Sequence, residues 1–232
     1  AQSELPVTID YPVYIGSAGY LTLQAAIDAA APGAEIEMIC NHTEDILMVN
    51  KAVTIDGNGN TLTSISLTYG LAITVADVVI ENMTIEEAGT FGIHANCGSN
   101  DLTITNVTVN NFGGTGFDIN GSDDVVLTNI TSTNNEGNGV SITDCDGVTI
   151  NGITTSGNSF GTFGAGIGIF SGGGYCTPAG SSSITLTGAV SITEVPAVYE
   201  EIDGGGGSIT NVLLPASFTH YLGFYNNKYY YT

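Results

Sequence analysis

Arginine and tryptophan are absent from this chain of 232 residues, and lysine occurs only at Lys51 and Lys228. Against those two cations stand 23 aspartates and glutamates, for a formal net charge of −21. A chain so poor in cations cannot neutralise a run of phosphates, which argues against nucleic acid or an anionic membrane as partner. It also disfavours a polyanionic substrate such as a polyuronate and makes cations the natural partners. Charged residues are only 11% of the whole, so the protein is cation-poor rather than densely acidic, and trypsin-like proteases find almost nowhere to cut. No apolar run approaches the ~20 residues of a membrane span. The chain opens at Ala1 without methionine, as though a leader had been removed, so a secreted, extracellular or cell-surface location is expected. Cysteine is scarce but even in number: Cys40, Cys97, Cys145 and Cys176. No C-x-x-C or Cys/His spacing supports zinc. Two disulfides are the expectation, Cys145 with Cys176 because they fall in successive repeats and Cys40 with Cys97 as the remainder, with free buried thiols as the alternative.

What the chain has in abundance is repetition. From Asp77 to Phe170 one pattern of about 23 residues is written four times. Each copy opens on an apolar strand: Val78-Val79-Ile80, Leu102-Thr103-Ile104, Val125-Val126-Leu127 and Val148-Thr149-Ile150. Next comes Asn82, Asn106, Asn129 or Gly152, and a second short strand follows at once. After a polar turn a third strand begins with Gly92, Gly116, Gly139 or Gly166. Three short alternating strands per repeat, turned by Gly, Asn or Asp, specify an all-β fold, a right-handed single-stranded parallel β-helix. One coil cannot bury its apolar face alone. Stacking coils about 4.8 Å apart joins those faces into a continuous core. Asparagines recurring at one position are expected to stack as an internal hydrogen-bonded ladder.

Around the repeats, residues 1–35 read as a strand segment and a capping helix, residues 36–210 as coils, and residues 211–232 as a Tyr-rich cap or interface segment. Val7-Thr8-Ile9-Asp10 and Val13-Tyr14-Ile15 are strand-like. Residues 21–31 read as a short helix capped by Thr22 and ended by Pro32-Gly33. The run Leu23-Gln24-Ala25-Ala26-Ile27-Asp28-Ala29-Ala30, then Pro32-Gly33-Ala34-Glu35-Ile36 and later Asn50 to Gly59, resembles the amino-terminal cap of the pectin lyase-like β-helix superfamily. The resemblance covers roughly residues 20–170 and implies the fold. It does not imply one activity, because that superfamily holds lyases, hydrolases, epimerases, tailspikes, adhesins and non-catalytic surface proteins. Its pectate lyases use an arginine base, which this chain lacks. Its polygalacturonase-like hydrolases combine aspartates with Gly-His-Gly and Arg-x-Lys segments. Asp123-Asp124 is similar to their acidic pair, and both other segments are missing.

The third strands send their middle residues outward, so Ala72, His94, Asp118, Ser141 and Gly168 should form one column. His94 and Asp118 are therefore the candidate acid–base pair. With no second carboxylate, cation or aromatic platform evident beside them, they read as an ordinary surface pair. Asp77, Asp101 and Asp124 share one turn position, and Asn100, Asp123 and Asp146 the position before it. Turn chemistry explains them. Stacked carboxylates also attract hard cations, so Asp101, Asp123, Asp124 and Asp146 are the candidate Ca²⁺ ligands. Of five N-x-S/T sequons, Asn41 and Asn120 lie at turns and are the candidate glycan acceptors. Asn82, Asn106 and Asn129 belong to the ladder.

The missing catalytic signatures and the Tyr-rich tail point to a non-catalytic structural protein. It would form a homo-oligomer through its solenoid ends and build an extracellular filament, sheath or surface layer. Val7, Ile9, Tyr11, Tyr221, Phe224, Tyr225, Tyr229, Tyr230 and Tyr231 are the expected contact residues, with residues 5–15 donated as a strand to a neighbour. The alternatives are an adhesin or glycan-binding module and a polysaccharide lyase or hydrolase.

Overall fold

The computed structural model describes residues 11–45, 47–87, 89–158, 164–172, 176, 180–194, 197–202, 209–214 and 228–231. Two sheets carry the fold. The first contains, in spatial order, Thr185–Ile192, Thr149–Ser156, Val126–Thr133, Thr103–Asn110, Val79–Glu86, Thr54–Asp56, Glu35–Met38, Val13–Ile15 and Ala18–Tyr20. The second runs Lys228–Tyr231, Val198–Ile202, Ile167–Ser171, Val140–Thr143, Phe117–Asn120, Phe91–Ala95, Tyr69–Ile73 and Met48–Val49. Every pairing between successive coils is parallel. The chain is a right-handed parallel β-helix, as its repeats predict.

Register explains the core. Ile36, Ile55, Ile80, Ile104, Leu127 and Ile150 face one another across successive coils and are all buried. The expected first and second strands of each repeat are continuous in hydrogen bonding. Residues 79–81 pair with Thr54–Asp56, whereas 84–86 pair with 61–63. Between them Asn82, Asn106 and Asn129 take φ of 53°, 55° and 51°, the left-handed region that turns the strand, and Gly152 takes 86°.

That asparagine ladder exists, but outside the core. Asn106 donates to Asn82 at 3.0 Å and Asn129 to Asn106 at 3.3 Å, and both donors are exposed. A left-handed turn at the surface suits asparagine because its short amide bonds locally. The internal ladder lies elsewhere, 23 residues apart at Asn135 and Asn158. Asn135 donates its amide to Asn158 at 2.8 Å, and Asn158 donates to Glu194 at 2.7 Å. Thr155 donates its hydroxyl to the other Glu194 oxygen, and Asn135 accepts the Phe112 N–H. A buried carboxylate is tolerable here because these donors surround it.

Antiparallel strands and a helix are added where the parallel coils begin and end. At the start, Val13–Ile15 pairs antiparallel with Ala18–Tyr20 and with Glu35–Met38. It is therefore not free for donation to a neighbour, which corrects the expectation for residues 13–15. The helix Leu23–Ala29 covers the adjacent edge, with Thr22 Oγ1 accepting the Ala25 N–H. Glu44 accepts the Leu23 and Gln24 N–H groups, while the Gln24 side chain accepts from Met48 N–H and donates to its carbonyl. A side-chain amide thus substitutes for the missing strand beside Met48–Val49. At the other end Lys228–Tyr231 pairs antiparallel with Val198–Ile202. Exposed edges invite pairing with other chains, and these devices blunt them.

The two ladders differ in consequence. Asn158→Ala removes one donor from the buried Glu194 carboxylate and leaves the Asn135 N–H and the Ser132 carbonyl without this partner in the core, and should cost about 3 kcal/mol in denaturant unfolding. Asn106→Gly keeps the left-handed turn and loses two exposed bonds, so it should cost about 1 kcal/mol in the same measurement.

Candidate functional site

The wall of the second sheet carries a groove built by Tyr69–Ile73, Phe91–Ala95 and Phe117–Asn120. In these strands Leu71, Ile93 and Phe117 point inward in register, which sends Ala72, His94 and Asp118 outward as one column. The alternation continues past His94 and Asp118, so Asn96 and Asn120 follow them to the outside. Tyr69 and Phe91 stand side by side at the start of their strands. Each precedes a glycine pressed onto the core: a Cβ on Gly92 would lie 2.1 Å from Val109 Cγ1. Because the glycine brings the backbone so close, the preceding ring stays outside.

These residues enclose a cavity of about 440 Å³ lined by Tyr69, Phe91, His94, Asn96, Asp118 and Asn120. The Tyr69 and His94 rings stack at 4.7 Å with an interplanar angle of 18°, and Phe91 lies 5.4 Å from His94. Asp118 is 7% exposed, and its Oδ2 lies 2.8 Å from His94 Nδ1. The Asn120 amide donates to the same oxygen at 2.8 Å. An ionised carboxylate only accepts, so Nδ1 carries the proton and Nε2 is left as the working nitrogen. The arrangement offers a ring stack for an apolar face, an oriented imidazole, a carboxylate and two carboxamides.

His94 and Asp118 are thus neighbours, as their spacing implies, and an aromatic platform that the sequence does not reveal stands beside them. Tyr69 and Phe91 escaped detection because they sit three residues before Ala72 and His94, and the intervening glycine breaks the simple alternation. Asn96 was detectable: it is two residues beyond His94 on the same face.

The other candidates fare differently. Among the described residues, no three or more His, Cys, Asp or Glu side chains gather to hold an ion. Asp101 and Asp124 take φ of 55° and 56° as turn residues and are exposed. Asp123 Oδ1 accepts the Asp146 N–H at 2.9 Å, just as Asn100 accepts the Asp123 N–H. Hydroxyls of Ser182 and then Ser183 hold the Asp146 carboxyl below its ordinary range. Within this column Asn100 and Asp123 thus cap the backbone of the next coil. The expected sequon acceptors also separate: Asn41 is exposed while accepting the Thr61 N–H, whereas Asn120 is occupied with Asp118 in the groove. Among the contact candidates, Tyr11 packs edge-on against Tyr14 at 6.3 Å. Tyr229, Tyr230 and Tyr231 pair in-chain with Glu200, Tyr199 and Val198. Val7, Ile9, Tyr221, Phe224 and Tyr225 lie outside the described residues.

The disulfide differs from both expected pairs. Cys97 bonds Cys176, with Cα atoms 5.7 Å apart, while Cys40 and Cys145 are free. Position within the coil outweighs succession of coils. Asp144 turns the chain at φ 53°, which sends Cys145 into the core, where its thiol donates to Thr143 O. Cys97 instead sits exposed at the corner just past Asn96, and Gly121, just past Asn120, leaves room for Cys176. The bridge is thus adjacent to the groove. Burial pushes the Cys145 thiol up to about 12.

Comparison with known proteins agrees with the architecture. The family model for the right handed beta helix region matches residues 37–183. An alginate lyase from Paenibacillus sp. str. FPU-7 is 12% identical with a TM-score of 0.35, over 83% of this chain and 96% of its own. A putative glycosyl hydrolase from Parabacteroides merdae ATCC 43184 is 14% identical with a TM-score of 0.26, over 83% of this chain and 87% of its own. Likeness of that degree says nothing of activity here. No curated protein matches the sequence.

Thiol labelling of the unreduced protein should modify Cys40 in the native state and add only Cys145 after unfolding. Peptide mapping without reductant should recover Cys97 joined to Cys176. Recovery of Cys145 joined to Cys176 would refute the pairing.

Proposed function

The chain belongs to the right-handed β-helix family, and from that fold and its lateral groove we propose that it is a glycan-binding β-helix protein. The observation that carries this reading is the Tyr69–His94–Phe91 ring cluster beside Asp118 and Asn120. A pyranose has an apolar C–H face and a rim of hydroxyls. Flat aromatic rings complement the first, and carboxylate and carboxamide groups complement the second. A location outside the cell is part of the proposal, supported by the Cys97–Cys176 bridge, since such bonds persist in oxidising surroundings.

Assembly into a filament, sheath or surface layer draws on the Tyr-rich tail, but residues 13–15 are paired on both sides within the chain, and of the two strands only 228–231, the terminal strand of the second sheet, keeps an edge unpaired among the described residues. A glycan-binding monomer is accordingly preferred. The second reading is a polysaccharide lyase or hydrolase, and one observation favours it: a buried carboxylate orients an imidazole whose other nitrogen is free for proton transfer.

A glycan array followed by calorimetry tests the binding. Tyr69→Ala should weaken the best ligand about tenfold or more, equivalent to about 1.4 kcal/mol, with little change in melting temperature because Tyr69 is only half-buried. Absence of binding to neutral, acidic and amino glycans alike would sink the proposal. Turnover of a polysaccharide that disappears in Asp118→Asn would replace it with the enzymatic reading. Sedimentation should show a monomer, and growth into regular filaments would restore assembly as the principal role.

A further inference from the structure

The groove's charge narrows its ligand further, an inference that rests on the glycan-binding reading. We propose that the site selects glycans carrying free protonated amines, that is amino-sugar polymers, over uronic-acid polymers and over the same sugars with the amine acylated.

The chain has two lysines and no arginine, and neither lysine serves the groove. Lys51 donates its ammonium to the Asp28 and Ala30 carbonyls at the end of the capping helix. Lys228 lies on the edge strand of the second sheet, and three strands stand between it and Phe117–Asn120. Four strand spacings amount to about 19 Å, beyond the reach of a lysine side chain. The imidazole does not replace them. His94 Nδ1 is committed to Asp118 at 2.8 Å, so the pair carries one negative charge with neutral histidine and none with protonated histidine. It never becomes positive. A uronate carboxylate placed here meets Asp118 without a counter-charge, and desolvating it unpaired is costly.

An ammonium meets the opposite situation. Asp118 Oδ2 is filled by His94 and Asn120, and Oδ1 keeps its lone pairs for a further donor. A bond there from an amine is charge-assisted. The Tyr69 and Phe91 rings in the same cavity add the attraction of a cation for an aromatic face. Asn96 accepts the Cys97 N–H through its carbonyl oxygen, leaving its NH₂ for sugar hydroxyls. The net charge of −21 raises the local concentration of a cationic polymer and speeds its encounter. Acylating the amine removes the charge and the donors while keeping the ring, so the ring stack alone would remain.

The test compares glucosamine oligomers, their N-acetylated counterparts of equal length and oligogalacturonates, near neutral pH and at low and high salt, by calorimetry on the full chain. The amine form should bind about tenfold or more tighter than the acetylated form, and oligogalacturonate should be weakest. The preference over the acetylated form should survive high salt, which screens the distant charges but not a partly buried contact. Asp118→Asn keeps an acceptor for His94 and should bind the two forms alike. Glu87→Gln, an exposed change outside the groove, should leave the preference intact. Equal binding of amine and acetylated forms by the parent protein would overturn the proposal while leaving glycan binding standing. So would an Asp118→Asn variant that keeps the preference, since the attraction would then come from the whole acidic surface. Failure of every oligosaccharide to bind would overturn the glycan reading itself. Should Asp118→Asn not fold, Tyr69→Ala together with the salt dependence of the parent protein separates the same outcomes.

Discussion

Parallel register between coils is the constraint on which everything else in this protein depends. A single coil exposes its apolar face on one side of each strand, and only an identical neighbour one strand spacing away can cover it. Columns such as Ile55, Ile80, Ile104 and Leu127 exist because each coil repeats the last without slipping. A slip of one residue would turn every such side chain to solvent. The same register that builds the core also lines up whatever faces outward, so surface columns are as ordered as the interior ones.

Polar columns act on the register in two ways. On the surface, Asn82, Asn106 and Asn129 mark a left-handed turn and bond from coil to coil. Inside, Asn135, Asn158 and Glu194 fill the turn position that Phe112 fills one coil earlier. The interior ladder is the more demanding one, since removing any member leaves buried polar groups unpaired. Its position also falls where Ser132 and Thr155 replace the apolar residues Ile85 and Val109 of earlier coils. The coils past Phe112 are therefore pinned by hydrogen bonds where the earlier ones are pinned by shape.

The groove follows from the same stacking. His94 and Asp118 come from different coils and meet because their strands pair residue for residue. Tyr69 reaches His94 from the coil on the other side. Asn96 and Asn120 are followed directly by Cys97 and Gly121, and Cys176 closes over both. Ring stack, acid–imidazole pair and disulfide corner thus occupy three consecutive positions along one wall. Neither of the chain's two lysines lies in this wall, so its chemistry rests on the rings, the carboxylate and the carboxamides.

Repetition and alternation made most of this fold legible in the sequence: the coils, the outward column holding His94 and Asp118, and the Thr22 cap. These features depend on local period and on turn chemistry, which a residue's immediate neighbours decide. What the tertiary structure alone decided are the matters of direction and distance between coils. The sequence placed the interior ladder at Asn82, Asn106 and Asn129, because recurrence does not say which side of the wall a turn residue faces. It paired Cys145 with Cys176, because succession in the chain does not reveal that a left-handed turn at Asp144 sends the next side chain inward. It set calcium among Asp101, Asp123, Asp124 and Asp146, because acidic spacing does not show that Asp123 caps a backbone N–H and that Asp146 is held by a serine hydroxyl. It missed Tyr69 and Phe91, because a glycine corner interrupts the period by which outward residues are counted. Periodicity determines which residues recur, and only packed coordinates determine what each of them touches.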